Sequence, residues 1–420
     1  MSFLYKLDFS NRVLRQSMSI VLVGIVVRII LFFLFDYSST LHSGDSSYYL
    51  EVGKNIQLYG VHGKENQALF YRPPLYSFFA GFVANLSETA IFFYIVQSLF
   101  FILFSLGVYY QLSHYGNKIA FLSAMSIAAS PFDALLNGRV LSENLVTPLL
   151  VFATLLFASK VKSKKNFFIS GALIGAASLC RDIYILLPLF FLAAGIFAKL
   201  SLRNLMAFIL GFSLLISPWI YRNSTLPSGG FFLSQGNIWP NLWVGTWEKT
   251  PNTNWHMTPK NIPIEASKTF NNGNSPEIIF EAWKNWDQKF FKNIVIEYVE
   301  NHPTKVFFTM VSRHPGMWMG TRSDLFNAYT DDKTLSWYFL KISFYILNCA
   351  IIFLSFGGMI VAYRSLMVPM ILLVPVIYTS IIYFPFHNGE TRYSQPVIPI
   401  LIIFCIFFIL HCLDEFRARS

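Results

Sequence analysis

The chain has 420 residues, of which 54% are hydrophobic and only 13% are charged, and its formal net charge is +10. A soluble domain ordinarily carries about 25% charged residues, whereas the apolar runs here are long enough for membrane-spanning helices rather than barrel strands. The composition therefore excludes a soluble globular protein, and membrane topology explains the positive charge better than binding to nucleic acid does.

Ten apolar segments follow one another along the chain, and each is predicted to span the membrane. The first, from about Ser19 to Phe35, contains Arg28, and a charge at that depth needs a partner or a watery cavity. In chain order the approximate segments are 19–35, 89–110, 119–130, 141–158, 167–179, 183–198, 205–219, 337–363, 366–384 and 396–412. The pattern predicts an all-α polytopic membrane protein with about ten transmembrane helices and both termini on one side.

Lysine and arginine are concentrated in the loops on the side of the termini. The positive-inside rule makes this side the cytoplasmic face. The residues concerned are Lys6, Arg12, Arg15, Lys118, Lys160, Lys162, Lys164, Lys165, Lys199, Arg203, Arg364, Arg417 and Arg419. The remaining loops, among them two long ones, are therefore predicted to face the opposite, external side.

The two long external loops divide the chain. We predict an N-terminal transmembrane bundle over residues 1–222, whose first external loop covers about 37–88, an external domain over 223–336, and C-terminal transmembrane helices over 337–420. In the external domain, the stretch from Ser275 to Pro303 has the periodicity of a helix with an apolar stripe, and Ser-Pro-Glu is a plausible helix start. The external domain is therefore expected to be small and rich in helix.

The first external loop contains more charged and aromatic side chains than a simple connection between two spans needs. It contains an early acid, Asp45, then the pair Tyr48 and Tyr49, and later Tyr71 and Arg72 before two prolines. We interpret this loop as half of an active site on the external side of the membrane.

Other unusual polar residues also fall where an external loop meets a predicted span. Arginines would bind a phosphate through two parallel N–H donors, and a carboxylate would accept a proton from an attacking hydroxyl. An apolar groove between spans could hold a lipid tail. Together these features suit a phosphate-bearing substrate. The residues are Asp45, Arg72, Glu143, Arg181, Asp182, Arg222, Arg392 and Tyr393.

Six of these residues also have a purely structural explanation, which the sequence leaves open. Asp45 could cap a helix that begins near residue 46, and Arg72 or Arg392 could anchor the chain at the lipid headgroups. Glu143 could interact with the dipole of a helix that it begins. Arg181 and its neighbour Asp182 could neutralise each other.

No cofactor is certain from the sequence. The eight histidines show no metal-ligand spacing, although a divalent metal held by Asp45 with His42 or His62 stays possible. A glycine-rich nucleotide loop is lacking, so a sugar nucleotide is not supported as a direct donor.

Six segments in a fixed order resemble a known superfamily. They read GDSSYYLEVGKNIQLYG, FYRPPLYSFF, LNGRVLSENL, SLCRDIYILLPL, SPWIYRNSTLPSGGFFLSQGNIWPNLWVG and TRYSQPVIPIL. Their order and topology resemble the polytopic GT-C glycosyltransferases. The nearest branch contains lipid A aminoarabinose transferases, protein O-mannosyltransferases and related galacturonosyltransferases.

This resemblance implies an inverting glycosyltransferase whose active site lies on the periplasmic or lumenal face, and a bacterial inner membrane is its expected location. The donor would be a sugar on a polyprenyl phosphate, and the acceptor a hydroxyl of a lipid, glycan or protein of the cell envelope. Asp45 would be the general base, and Arg72, with Arg222 and Arg392, would contact the donor phosphate. The remaining pocket candidates are Tyr48, Tyr49, Tyr71, Glu143, Arg181 and Tyr393.

One departure from the resemblance concerns the acid itself. Many relatives carry two adjacent acids in the first loop, whereas Asp45 stands between Gly44 and Ser46. Any role of a second acid, including metal binding, is therefore not carried over to this chain.

Two other functions remain as alternatives. One is an oligosaccharide polymerase or ligase that uses a diphosphate-linked donor, and the other is a flippase or transporter of lipid-linked sugars. A transporter should show polar groups at both faces or at the midplane, often in repeated halves. The functional-looking polar residues here fall on one face, and no repeat is visible, which favours the enzyme.

Overall fold

The computed structural model describes most of the chain. The described residues are 11–35, 37, 45–64, 67–68, 72–226, 230–234, 238–246, 274–285, 287–320, 335–365, 370–386 and 391–419.

Helices make up nearly all of the described structure. The α-helices are α1 (Asn11–Leu34), α2 (Asp45–Tyr59), α3 (Leu75–Leu86), α4 (Ala90–Leu112), α5 (Asn117–Ala128), α6 (Pro131–Leu136), α7 (Glu143–Ala158), α8 (Lys164–Cys180), α9 (Leu187–Phe197), α10 (Leu202–Ser224), α11 (Ile238–Thr246), α12 (Pro276–Lys284), α13 (Gln288–Asn301), α14 (Pro303–Met319), α15 (Leu335–Ser365), α16 (Val374–Tyr383) and α17 (Ile398–Arg419). Short 3₁₀ helices cover Ser113–Tyr115, Asp182–Leu186, Met370–Leu373 and Thr391–Val397. Two strands of two residues each, β1 (Gly63–Lys64) and β2 (Gln67–Ala68), form an antiparallel hairpin.

The predicted fold class is confirmed, since a helix is present at each segment that was predicted to span the membrane. Within the described ranges, six helical stretches are long and apolar enough to cross a membrane, and α7, α9 and α16 lie in shorter apolar stretches. The number of spans therefore stays a prediction. The six long stretches are Arg12–Leu34, Ala90–Tyr115, Asn117–Leu136, Leu202–Ser224, Trp337–Arg364 and Thr391–Ala418.

The charge inside α1 has the partners that its depth requires. Arg28, which is 2% exposed, donates hydrogen bonds to the carbonyl oxygens of Gly24 and Ala128 at 3.1 and 2.9 Å. Its Nε donates to Asn137 Oδ1 at 3.1 Å, and its guanidinium lies 5.1 Å from the centroid of the Phe101 ring. Arg28 thus ties α1 to the ends of α5 and α6.

The segment that was predicted to be the first external loop contains two helices, α2 and α3, and the apolar α3 was not predicted. The two helices cross in close contact at a pair of glycines. A Cβ atom added to Gly53 would lie 2.6 Å from the backbone nitrogen of Gly81, and one added to Gly81 would lie 2.6 Å from the carbonyl oxygen of Gly53. Because only hydrogen fits at both positions, this contact fixes the start of α2 relative to the chain that leads into α3.

Gly53→Ala is expected to lower the free energy of unfolding by about 1–3 kcal/mol, because the added methyl group meets backbone atoms that cannot turn away. Gly175→Ala is the matched control. It should lower the free energy of unfolding less, since a Cβ at Gly175 would lie 3.1 Å from the nearest atom, the carbonyl oxygen of Phe212, compared with 2.6 Å at Gly53. Thermal unfolding of both variants in the same detergent measures the difference. Equal effects at the two positions would contradict this account of the α2–α3 crossing.

Four helices of the predicted external domain, α11 to α14, share a small apolar core. Trp243 is fully buried in it, with Phe291 and Trp283 packed against its ring at 5.2 and 5.8 Å. The predicted helical character of the second half is confirmed, but the stretch is divided into α12 and α13. The division occurs because Asp287 caps α13, accepting a hydrogen bond from the backbone nitrogen of Phe290 at 2.9 Å.

Candidate active site

Asp45 is the first residue of α2, and both of its carboxylate oxygens are engaged by arginines. Arg72, just before α3, donates from Nη2 to Oδ1 at 2.7 Å. Arg392, in the 3₁₀ helix before α17, donates from Nη1 to Oδ2 at 3.1 Å. Three segments that are far apart in the sequence therefore meet at one carboxylate.

Each of these arginines is also held by tyrosines. The second terminal nitrogen of Arg72 donates to the hydroxyl of Tyr49 at 3.2 Å, and that of Arg392 donates to the hydroxyl of Tyr393 at 3.3 Å. The Arg72 guanidinium lies 5.1 Å from the ring centroid of Tyr48 and 5.3 Å from that of Tyr49. These aromatic contacts orient the arginines independently of Asp45.

A second acid and arginine pair lies beside the first. Glu143, the first residue of α7 and only 2% exposed, is paired with Arg181 and also accepts a hydrogen bond from Ser142 Oγ at 3.3 Å. Arg181 and Arg392 both lie 5.1 Å from the ring centroid of Tyr393. This tyrosine therefore connects the two ion pairs.

The pairing of Arg181 excludes one structural explanation. Arg181 contacts Glu143 rather than its neighbour Asp182, whose carboxylate instead accepts a hydrogen bond from the hydroxyl of Ser234. The two adjacent charges thus point to different partners.

The electrostatic environment of Asp45 favours its ionised form. Burial raises the pKa of Asp45, but the positive charges of Arg72 and Arg392 outweigh burial and hold the pKa well below its usual range. The carboxylate is therefore ionised throughout the physiological pH range. In this arrangement it is also a weak proton acceptor, because a proton would have to displace two favourable ion pairs.

Arg222, near the end of α10, lies in a different environment. It donates to Asn223 Oδ1 at 2.9 Å and to the carbonyl oxygen of His62 at 3.1 Å, and its guanidinium lies 4.6 Å from the ring centroid of Trp219. These described contacts are not with the group around Asp45. A phosphate contact for Arg222 stays a prediction, and Tyr71 lies outside the described residues.

An apolar cavity of about 570 Å³ opens next to the second ion pair. The Tyr383 and Tyr393 rings in its wall are stacked with centroids 4.9 Å apart. The polar lining residues are Arg181, Asp182, Ser234, Asn241, Tyr383 and Tyr393. The rest of the lining is largely aliphatic or aromatic. These apolar lining residues include Ile185, Leu186, Ile220, Phe231, Phe232, Leu233, Ile382 and Phe386.

Beneath the ion pairs lies a buried hydrogen bond that the sequence did not reveal. Asp133, in α6, and Gln395 are both fully buried, and Gln395 Nε2 donates to Asp133 Oδ1 at 2.7 Å. Gln395 belongs to the same short 3₁₀ helix as Arg392. The contact therefore holds the segment that presents Arg392 to Asp45.

A second buried contact supports Glu143 in the same way. Asn137 Nδ2 donates to Asn144 Oδ1 at 2.9 Å, and Asn144 Nδ2 donates to the carbonyl oxygen of Arg139 at 2.9 Å. Asn144 follows Glu143 directly at the start of α7. The available sequence signal was the number of polar residues in an otherwise apolar stretch between two predicted spans.

The described residues do not form a metal site. Among them no group of three or more histidine, cysteine or acidic side chains could hold a metal ion. Both oxygens of Asp45 are taken by arginines, and His62 packs edge-on against Trp219 with ring centroids 4.9 Å apart. His42, which the sequence left open as an alternative metal ligand, lies outside the described residues.

Most of the predicted site residues are brought together at one end of the helix bundle. Their predicted roles in binding and catalysis stay predictions, whereas their proximity is a finding. The residues in this group are Asp45, Tyr48, Tyr49, Arg72, Glu143, Arg181, Arg392 and Tyr393.

Comparison with known proteins places the chain among membrane glycosyltransferase folds. Residues 71–221, just over a third of the chain, match the family model described as dolichyl-phosphate-mannose-protein mannosyltransferase. This region includes Arg72, Glu143 and Arg181, whereas Asp45 and Arg392 lie outside it. No curated protein matches the chain.

Two solved structures of the oligosaccharyltransferase from Archaeoglobus fulgidus are similar in fold. The apo form has a TM-score of 0.54 at 14% identity, covering 100% of this chain and 52% of that one. The complex of this enzyme, AglB, with an inhibitory peptide and a dolichol-phosphate has a TM-score of 0.53 at 14% identity, covering 96% and 51%. The chain thus spans about half the length of these proteins.

ArnT from Cupriavidus metallidurans bound to undecaprenyl phosphate has a TM-score of 0.42 at 13% identity, with 94% of this chain and 78% of that one covered. The predicted resemblance to the GT-C glycosyltransferases is confirmed by the family match and by the fold shared with the oligosaccharyltransferase.

Proposed function

We propose that this chain, an integral membrane protein with the GT-C fold, is an inverting glycosyltransferase that uses a polyprenyl-phosphate-linked sugar. It transfers the sugar to a hydroxyl of a lipid, glycan or protein on the periplasmic or lumenal face, with both termini in the cytoplasm. The observation that carries this proposal is the Asp45 carboxylate hydrogen-bonded to both Arg72 and Arg392, close to an apolar cavity.

The donor class is supported by the chemistry of the site. Guanidinium groups bind phosphate oxygens with two parallel hydrogen bonds. Arg72 and Arg392 are 28% and 12% exposed at their side chains, so a phosphate can reach them. The adjacent cavity, with Arg181 at its polar edge, would hold the first isoprenoid units behind the phosphate. The related AglB structure contains a dolichol-phosphate, which agrees with this class of ligand.

The proposed reaction is a single displacement at the anomeric carbon. The acceptor oxygen forms a bond to that carbon, the bond from the carbon to the phosphate oxygen breaks, and the hydroxyl proton passes to Asp45. The leaving group is a lipid phosphate, which is a stabilised anion, so no separate acid is needed. Arg72 and Arg392 stabilise the negative charge that develops on it. Attack from the face opposite the phosphate inverts the configuration.

The division of the chain follows the same scheme. The bundle 1–222, with its loop 37–88, supplies Asp45 and Arg72, while the C-terminal helices 337–420 supply Arg392 and close the pocket. The external segment 223–336 contributes Phe231, Phe232 and Ser234 to the cavity wall. We propose that this segment takes part in recognition of the acceptor.

Two alternatives make different demands on the donor. A polymerase or ligase would take a diphosphate-linked sugar, and a flippase would move a lipid-linked sugar without breaking its glycosidic bond. The contacts between a carboxylate and two arginines favour chemistry at a phosphate-linked carbon over transport. A cycle of transport would not require a base at this position.

Comparing a deletion strain with its parent tests the proposed function. Mass spectrometry of the lipid, glycan and protein fractions should show one fraction that loses a single sugar. The amount of sugar-linked polyprenyl phosphate should rise at the same time. A plasmid carrying the wild-type gene should restore the sugar. Unchanged glycosylation with a lipid-linked sugar accumulating on the cytoplasmic face would instead support the flippase.

Arg72→Ala is expected to weaken binding of the donor phosphate by about 10- to 150-fold, because a charge-assisted hydrogen bond contributes about 1.5–3 kcal/mol. Equilibrium binding of undecaprenyl phosphate to protein in nanodiscs measures the effect. Lys54→Ala is the control, because Lys54 is a half-exposed cation paired with Glu88 away from the site. Unchanged affinity in Arg72→Ala would remove the role proposed for this arginine.

A further inference from the structure

The site contains a conflict between two roles of the same residues. Asp45 is the proposed base, yet both of its oxygens accept hydrogen bonds from Arg72 and Arg392, at 2.7 and 3.1 Å. These two arginines are also the proposed ligands of the donor phosphate. A carboxylate that is fully paired with guanidinium groups attracts a proton poorly, so the free protein has its base in an unreactive state.

On the basis of the function proposed above, we infer that the donor phosphate activates Asp45 by drawing Arg72 and Arg392 away from its carboxylate. The acceptor hydroxyl is then deprotonated only when the donor is in place. The donor thus acts both as a substrate and as the trigger for the catalytic base.

The geometry of the two arginines suits an exchange of partners. Each uses one terminal nitrogen for Asp45 and the other for a tyrosine hydroxyl, Tyr49 for Arg72 and Tyr393 for Arg392. A guanidinium can therefore turn from the carboxylate to a phosphate while its tyrosine keeps it in the pocket. The Asp45 side chain is 27% exposed, so the space that the phosphate must enter is open to solvent.

The other charged and titratable groups near Asp45 keep their own partners in this exchange. Arg181, which also favours the ionised form of Asp45, stays paired with the buried Glu143. Tyr49, on the same helix as Asp45, is buried in a site where burial raises its pKa. Arg392 also lowers the pKa of Glu143, but Glu143 keeps its ion pair with Arg181, so the change in protonation is expected at Asp45.

The ion pairs at Asp45 determine whether protons are taken up or released when the phosphate binds. In the free protein the arginines hold the pKa of Asp45 well below its usual range. When the phosphate takes the arginines, the pKa of Asp45 rises toward its ordinary value of about 3.9, because burial still opposes ionisation and, of the three arginines, only Arg181 still favours it. Binding should therefore take up protons as the pH falls toward that value, and none near neutral pH.

Calorimetry with a dialkyl phosphodiester tests this inference without knowledge of the sugar or the acceptor. Dihexadecyl phosphate carries one negative charge and does not itself titrate in this pH range, so any proton taken up on binding comes to the protein. Titration in two buffers of different protonation enthalpy gives the number of protons. At about pH 4.5 we expect at least about 0.2 proton per bound phosphodiester, and close to none at about pH 7.5.

Three variants make the assignment specific. Asp45→Asn should bind the phosphodiester without the additional uptake at low pH. Arg392→Gln should take up fewer protons on binding than the wild type, since one of the two ion pairs of Asp45 is already absent. If Asp45→Asn does not fold, Arg392→Gln alone tests the inference. Glu88→Gln, which removes an exposed carboxylate outside the site, should take up protons as the wild type does.

The outcomes separate this inference from the proposed function. Binding with equal proton uptake in the wild type, Asp45→Asn and Arg392→Gln would overturn activation by the donor while leaving the phosphate-linked donor in place. Failure of the wild type to bind any phosphodiester would contradict the proposed function and, with it, the activation of Asp45.

Discussion

Asp45→Asn is expected to lower the rate of sugar transfer by about 10²–10⁴-fold, the usual contribution of a general base. The substitution keeps the shape of the side chain and removes its ability to accept the proton of the acceptor hydroxyl. Arg72 and Arg392 keep their contacts with Tyr49 and Tyr393, so the pocket for the phosphate stays formed. Transfer of label from lipid to acceptor by the purified variant measures the effect.

Donor binding distinguishes this loss from misfolding. Asp45→Asn removes the carboxylate that competes with the phosphate for Arg72 and Arg392, so the variant should bind undecaprenyl phosphate at least as tightly as the wild type. Glu88→Gln controls for loss of an exposed carboxylate and should leave both binding and transfer unchanged. Retained transfer in Asp45→Asn would show that another group is the base.

Arg181→Met is expected to reduce the free energy of unfolding by about 3–5 kcal/mol, because it leaves Glu143 as a buried charge without its partner. Glu143 is 2% exposed, so water cannot replace the lost guanidinium. Chemical unfolding in detergent, or the shift in thermal midpoint, measures the change. The methionine keeps much of the apolar length of the arginine, which limits the loss of packing.

A double variant separates the charge from the packing. Adding Glu143→Gln to Arg181→Met removes the unpaired charge, so the double variant should recover a large part of the lost stability. Lys54→Met breaks an exposed pair with Glu88 and should cost no more than about 1 kcal/mol. A loss in Arg181→Met no larger than that of Lys54→Met would contradict the structural importance of the buried pair.

The sequence was sufficient to predict the features that depend on local pattern. Long apolar runs mark the membrane helices because each span needs about 20 apolar residues. Arg72 stood out because the positive-inside rule disfavours arginine on the predicted external side, and Asp45 stood out because a simple connection between spans does not need a lone acid. Positions of this kind can be recognised one at a time, without knowledge of any partner.

Contacts between distant segments were harder to predict from the sequence. Glu143 had a simple explanation at a helix start, and its pairing with Arg181 depends on how α7 and α8 pack. Asp133 and Gln395 are 262 positions apart, and a buried polar residue could pair with many others. The crossing of α2 and α3 at Gly53 was also missed, since a glycine shows its purpose only when the second backbone is present.

Transfer from a monophosphate-linked donor is the central claim, and one assay tests it most directly. Protein in nanodiscs is given undecaprenyl phosphate carrying a labelled sugar, one sugar at a time, with membranes from the deletion strain as the source of acceptor. For one of these sugars, the wild type should move the label to the acceptor with inversion at the anomeric carbon and release undecaprenyl phosphate, while Asp45→Asn should not. Transfer only from the diphosphate-linked donor, or equal transfer by Asp45→Asn, would contradict this account.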